Sequence, residues 1–402
     1  MNRIKEIIKC YNENAIVRRV NVVLVYIFLF NVIFFPNDTF NIKIISLFLL
    51  LVLNFWSTPL KNKIDYLVFF FGLIVPTFTI VLSIIITKSF INNIKLGYPA
   101  VILLLYLVVK KFNINFEKVF FIMLEILAYI EVIVFILHIS GVLRMRTNPM
   151  VLWYGKTNNA LYGEGKYATF GSLFYIKSAC LLFVYEAYCI EKRKYFSLVI
   201  TCIALFATGT RANVFLMLAL LYICCIIVQK NNKIRVCIIL SSLVAIIVGL
   251  FGAGLYRYIL AIFEKKSFDD AVRSGHLSSL IKYWKSDIVR FIIGSGYESE
   301  FYSIGVNAMV RDIELSYFNL LRQVGIIPFM AMMGMYALPI VYVAKNKIKS
   351  KKIVCITMGY IMYLILGAVD PFLYNSTAVT LVLYMYYICF DTHYIENLEN
   401  KL

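Results

Sequence analysis

Apolar runs of about 17 to 25 residues recur along the whole of this 402-residue chain, and each is long enough to cross about 30 Å of hydrocarbon. Inside lipid the backbone N–H and C=O groups of such a run have no water to bond, so they must bond one another as a helix. A membrane β-barrel requires short segments that alternate apolar and polar residues, and 44-IISLFLLLVLNFW-56 does not alternate. With 61% hydrophobic residues, 15% charged residues and a mean hydropathy of +0.81, the expected fold class is all-α. The expectation is a polytopic membrane protein of about twelve transmembrane helices with a large extracytoplasmic loop subdomain.

The apolar runs place helices near 20–37, 42–58, 66–87, 96–111, 118–140, 169–190, 196–209, 212–229, 236–256, 315–343, 353–370 and 376–391. The net charge of +18 does not point to nucleic acid, because the basic residues sit in short segments between the runs rather than on one domain. If sides alternate from an inside start, the inside segments hold Arg3, Lys5, Lys9, Arg18 and Arg19, then Lys61 and Lys63, Lys110, Lys111 and Lys118, and Lys192, Arg193 and Lys194. They continue with Lys230, Lys233 and Arg235, then Lys345, Lys347, Lys349, Lys351 and Lys352, and finally Lys401. The short outside turns hold only Lys43, Lys88, Lys95 and Arg211. That asymmetry predicts that both termini are cytoplasmic.

The basic N-terminal stretch leads into the run from Val20 with no small-residue cleavage site, so it reads as a first span rather than a removed signal. The nine cysteines show no CxxC and no Cys/His spacing, so neither a disulfide framework nor a metal site is expected. The whole of 1–402 is expected to form one transmembrane domain, interrupted by extracytoplasmic loops at 141–168 and 257–314. Loops of that length are functional or disordered. The second holds Tyr256, Tyr258, Phe263, Trp284 and Phe291, and reads as a subdomain with an amphipathic helix near 277–291.

The unusual polar residues gather on the side of these loops. Arg211 lies in 206-FATGTRANVF-215, at a tight turn between two apolar helices, where an arginine either snorkels or binds an anion. Glu314 and Arg322, eight residues apart, fall on one face of a helix, and pack helices together or serve a site. Arg211, Arg273, His276 and Arg290, with Arg322 behind them, form the candidate diphosphate-binding set, because guanidinium groups bind phosphate oxygens in pairs. Glu314 is the candidate catalytic residue, a general base on a sugar hydroxyl. In the first loop Arg144, Arg146, Lys156 and Lys166 offer further positive charge, and Trp153, Tyr154, Tyr162 and Tyr167 offer ring faces. Glu125, Glu131, Lys177 and Glu186 fall inside expected spans. His138 is expected to be structural, and Asp370, before Pro371, to cap a helix in preference to pointing into the site.

The order of parts resembles the bacterial O-antigen polymerases and ligases. The residues carrying the resemblance are 208-TGTR-211, 294-GSGY-297 and 314-ELSYFNLLRQVGII-327, which span about 200–345 by motif. The resemblance implies transfer of a growing glycan from a polyprenyl diphosphate to a lipid-linked oligosaccharide repeat unit, at the outer face of a bacterial cytoplasmic membrane. Undecaprenyl-diphosphate-linked oligosaccharide is then both donor and acceptor, in a setting of membrane lipid, with a chain-length regulator and a flippase as partner proteins. Such a donor carries its own activation, so no cofactor is implied. Arg211 matches the family's diphosphate-holding arginine at the turn, and either Arg273 or His276 stands for the one in the loop. Two departures stand out: the ligases carry His where this chain has Glu314, which favours a polymerase, and Ser274-Gly275 is followed by His276 rather than arginine. The rival readings are a ligase, a lipid-linked oligosaccharide flippase and a membrane acyltransferase. No internal repeat supports the flippase.

Overall fold

Polar side chains start several of the helices. In the computed structural model, which describes residues 14–37, 41–58, 60–143, 148–158, 161–164, 172–208, 210–231, 234, 255–346, 348, 350–371 and 373–391, Asn14 accepts from the amide of Ile16 at 2.8 Å and opens α1, Ala15–Phe34. After α2, Ile42–Asn54, a capping box of Asn62 and Asp65 opens α3, Lys63–Thr87. Pro76 has no N–H to give, and the stretch before it, Phe70–Ile74, is wound as a π-helix. α4, Ile91–Lys111, tightens to a 3-10 stretch over Tyr98–Leu104, with Pro99 in its first turn, and α5 is Phe116–Ile139.

A short α6, Pro149–Asn158, precedes an antiparallel hairpin of β1, Leu161–Glu164, and β2, Ser172–Tyr175. The turn Lys177–Leu181 then leads into α7, Leu182–Lys192, followed by α8, Tyr195–Ala207, and α9, Arg211–Val228. The large loop region contains α10, Leu255–Ser286, α11, Ile288–Ile293, and a hairpin of β3, Phe301–Ser303, with β4, Ala308–Val310. The chain closes with α12, Ser316–Val324, α13, Ile326–Lys345, α14, Lys351–Leu366, and α15, Ser376–Phe390.

The polarity of the packing is that of a protein dissolved in lipid. Among the described residues, α1, α3, α4, α5 and α13 are long and apolar enough to cross a membrane. Phe30, Phe48, Phe78, Ile85 and Met330 are exposed while Asn21, Asn54, Thr79, Ser83 and Thr357 are buried. A water-soluble fold cannot show that much apolar surface, whereas buried hydroxyls and amides hold membrane helices together. Small residues do the same: a Cβ on Gly359 of α14 would come within 2.7 Å of the Phe183 carbonyl on α7. α15 is buried along its whole length, at the centre of the bundle.

Ion pairs and polar contacts sort to two ends. At one end Lys110 reaches Asp65 at 2.7 Å, Lys352 reaches Glu117, and Lys351 donates to the Val228 carbonyl at 2.6 Å. Asp65 also accepts from the amides of Lys61 at 3.0 Å and Asn62 at 3.1 Å. Asp65→Ala removes this cap together with the ion pair, and is expected to lower stability by about 1–2 kcal/mol. Thermal denaturation in detergent measures this, and an unmoved midpoint contradicts it. At the other end Lys43 donates to the Pro36 carbonyl at 2.7 Å and to Ser376 at 3.0 Å, and Tyr374 donates to the Gly97 carbonyl at 2.7 Å. The hairpins and α10–α12 gather at this second end.

Three expectations are corrected. The span expected at 315–343 is two helices, broken at Gly325, where φ is +80°. The span expected from 169 is helical only from Lys177, because Ser172–Tyr175 pairs as a strand. The amphipathic helix expected at 277–291 is the end of the longer α10, then α11 after a break at Asp287. The span expected at 236–256 lies, but for its last two residues, outside the described residues, as do 1–13 and 392–402.

Candidate functional site

The turn 294-GSGY-297 organises the second end. Gly294 and Gly296 both have positive φ, +94° and +89°, which costs a glycine little. The amides of Ser295 and Gly296 donate to the carbonyls of Arg322 and Gln323, each at 2.9 Å, satisfying groups that the C-terminal turn of α12 leaves open. Tyr297 then enters the bundle, donates to Thr79 at 3.0 Å, and stacks on Tyr374 with ring centroids 6.0 Å apart. The loop is thereby fixed to α3 and to the segment before α15.

A cavity of about 620 Å³ lies beside this junction. Its lining includes Glu314, Asp312, Asp370, Lys177, Asn37, Thr210, Tyr297 and Tyr374. Arg273, from α10, reaches across to Glu314: Nη2 and Nε donate to the same carboxylate oxygen at 2.8 and 3.1 Å. Both partners are partly exposed, with 31% and 58% of their side-chain surface open, so an incoming anion can compete for the guanidinium. Lys177 adds positive charge and donates to Asn37 at 3.4 Å.

Asp370 is set differently. The residue is half-buried, and its Oδ2 is buried without a hydrogen-bond partner. Burial, then the nearby charge of Glu314, pushes it up to about 6, against the opposing pull of Arg273. The cap expected of it is made instead by Asn375, which accepts from the amide of Ala378 at 2.8 Å. Asp370 contributes its backbone carbonyl to Ser316, which donates to it at 2.5 Å. The sequence places neither Asp370 nor Lys177 in the candidate diphosphate-binding set. The signal for both was charge at the edge of an apolar run, which serves equally well for a cap or a snorkelling side chain.

The other expected site residues separate. His276 is buried and its Nδ1 lies 2.5 Å from Ser303 of β3. Burial pulls its pKa down, against a smaller upward pull from Glu314, so at neutral pH the ring is a poor cation for a phosphate. Arg322 is fully buried, donating to the Ser299 carbonyl at 2.9 Å, the Arg311 carbonyl at 2.6 Å and Asn319 at 3.0 Å. Its guanidinium lies over the Phe301 ring, and burial brings its pKa down to about 10, so it stays charged. Its donors are spent on the loop. Arg290 pairs with Asp287 at 2.9 Å and lines a second cavity of about 600 Å³ with Tyr283 and Thr87. The expected shared helix face of Glu314 and Arg322 does not form, because α12 begins after Glu314.

Arg211 is the first residue of α9, and the preceding Thr210 lines the cavity of Glu314; the Arg211 side chain lies outside the described residues. Asn213 donates to Thr208 at 2.9 Å and ties this turn. In the first loop Tyr154 is occupied by a hydrogen bond to the Phe34 carbonyl. Arg144, Arg146, Lys166 and Tyr167, and the side chain of Tyr162, lie outside the described residues. Among the carboxylates within helices, Glu125 accepts from Ser197 at 2.9 Å and Glu131 from the amide of Ile176 at 3.3 Å, while Glu186 is buried. His138 contacts the Leu143 carbonyl at 3.1 Å at its helix end. Among the described residues no group of three His, Cys, Asp or Glu side chains could hold a metal.

A scan against protein-family models finds no match to this chain, and neither does a search of curated proteins.

Proposed function

We propose that this protein is a glycosyltransferase that elongates lipid-linked oligosaccharide: a repeat-unit polymerase of about twelve spans, working at the outer face of a bacterial cytoplasmic membrane. The observation that carries this reading is the cavity where the Arg273–Glu314 pair, Lys177 and the turn bearing Arg211 converge. Diphosphate oxygens would draw Arg273 off Glu314 and bind beside Lys177 and Arg211. The amides and tyrosines around them suit sugar hydroxyls, and a carboxylate of the cavity takes the proton of the attacking hydroxyl. The sorting of Lys110, Lys351 and Lys352 to the opposite end supports the orientation drawn from charge, with both termini cytoplasmic.

Glycan length on gels, in cells lacking the gene and complemented with wild type, Arg211→Ala or Glu314→Gln at matched expression, tests this reading. Deletion is expected to leave single repeat units on their final acceptor, with the ladder restored by wild type and by neither variant. Loss of all surface glycan, single units included, would mean a flippase or ligase and overturn the polymerase.

A further inference from the structure

Asp312, Glu314 and Asp370 all line the cavity, and of these three only Asp370 has a buried oxygen without a hydrogen-bond partner. Glu314 receives two donors from Arg273 on one oxygen, and so is engaged in holding that guanidinium. Asp370 has a buried oxygen without any partner, in the same cavity and two residues' reach away through the Ser316 hydrogen bond to its carbonyl. Such an oxygen is costly to the fold unless something supplies a donor, and the donor fitting a cavity lined by amides and tyrosines is a sugar hydroxyl.

We propose that Asp370 is the catalytic base of this site and that Glu314 is a positioning residue that holds Arg273 for the diphosphate. The inference rests on the glycosyl-transfer reading and divides its labour. The acceptor hydroxyl gives its proton to the Asp370 carboxylate as its oxygen bonds to the anomeric carbon of the donor glycan. The bond from that carbon to the diphosphate oxygen breaks, and its electron pair leaves on the polyprenyl diphosphate. The protonated Asp370 then returns its proton to water. Burial makes the carboxyl a stronger base than an exposed aspartate.

The test uses membranes carrying the full-length protein and, as donor and acceptor, lipid-linked repeat unit extracted from cells lacking the gene. Elongation by wild type should rise with pH up to about 6 and level off above it. Asp370→Asn should lower the rate about 100-fold or more and flatten this limb, with partial recovery in Asp370→Glu. The fold should not suffer, since the substitution removes a charge that has no partner at Oδ2; melting of Asp370→Asn in detergent should be unchanged or higher. Glu314→Gln should slow elongation enough to lose the ladder in cells, yet keep the limb in this assay, displaced to lower pH because a neighbouring negative charge is gone. If Glu314→Gln abolishes the limb while Asp370→Asn retains it, the base is Glu314 and the proposal fails. If wild type elongates and Asp370→Asn matches its rate, the proposal fails while the polymerase reading stands. If wild type does not elongate the lipid-linked unit, both fall.

Discussion

Arg322→Leu is expected to destabilise the loop region by about 3–5 kcal/mol. The guanidinium is fully buried and is the common partner of the Ser299 carbonyl and hydroxyl, the Arg311 carbonyl and the Asn319 side chain. Leucine fills part of the volume but offers no donor, so those acceptors are left in a space from which water is excluded. Each such orphan costs on the order of 1–3 kcal/mol. Lysine is not a substitute: a single ammonium cannot reproduce a planar fork that bonds in several directions and lies over Phe301 at 5.0 Å. Thermal denaturation in detergent, with limited proteolysis across 294–315, reads the outcome. The variant should melt earlier and be cleaved in this segment first. An unchanged midpoint would mean that Arg322 does not hold the loop to α12, leaving it available to a ligand after all.

The helices are legible because crossing hydrocarbon sets a minimum length of apolar sequence; among the described residues α1, α3, α4, α5 and α13 reach it, while α2, α8, α9 and α15 are shorter apolar helices. Long-range constraints were harder to see. Gly325 sits between Val324 and Ile326 inside an apolar stretch, and only its contact with the Gly294 turn, remote in sequence, shows why the helix must break there. The strand Ser172–Tyr175 reads in sequence as the start of a span, because it continues into an apolar run, and its pairing with Leu161–Glu164 is a property of the hairpin.

The site divides in the same manner. A charge inventory of the loops contains Arg273 and Glu314, and the structure brings the two together across 41 residues. It also contains His276, Arg290 and Arg322, and nothing local distinguishes an arginine facing a cavity from one whose fork is filled by main-chain carbonyls. Burial of His276 depends on β3, and burial of Arg322 on the turn after α11. Asp370 is the reverse case: a residue next to proline, at the edge of a helix, that reads as a cap until Asn375 is seen to do the capping.

Gly325→Ala tests whether the break in that helix is what builds the site. At Gly325 φ is +80° and ψ 168°, a region that residues with a Cβ rarely enter. A Cβ there would lie 2.3 Å from the Ile292 carbonyl oxygen and 2.6 Å from the Gly294 nitrogen. These are main-chain atoms, so no side-chain rotation relieves the collision. Backbone strain and overpacking together are expected to cost about 2–6 kcal/mol. The displacement falls on the two bonds that fasten Ser295 and Gly296 to the end of α12. Tyr297 is the next residue, so its stack on Tyr374 and its place in the cavity wall are lost with them. Gly334→Ala is the control: it lies in the middle of α13, where a Cβ would meet only the Phe71 ring, at 3.7 Å, and alanine favours a helix over glycine. In detergent, Gly334→Ala should melt within a degree or two of wild type, and Gly325→Ala should melt well below it. In cells, only Gly325→Ala should lose function. Equal melting of the two variants would show that the Gly294–Gly325 contact is not what fixes α12. The position of Glu314, just before that helix, would then have to be set by the β3–β4 hairpin alone.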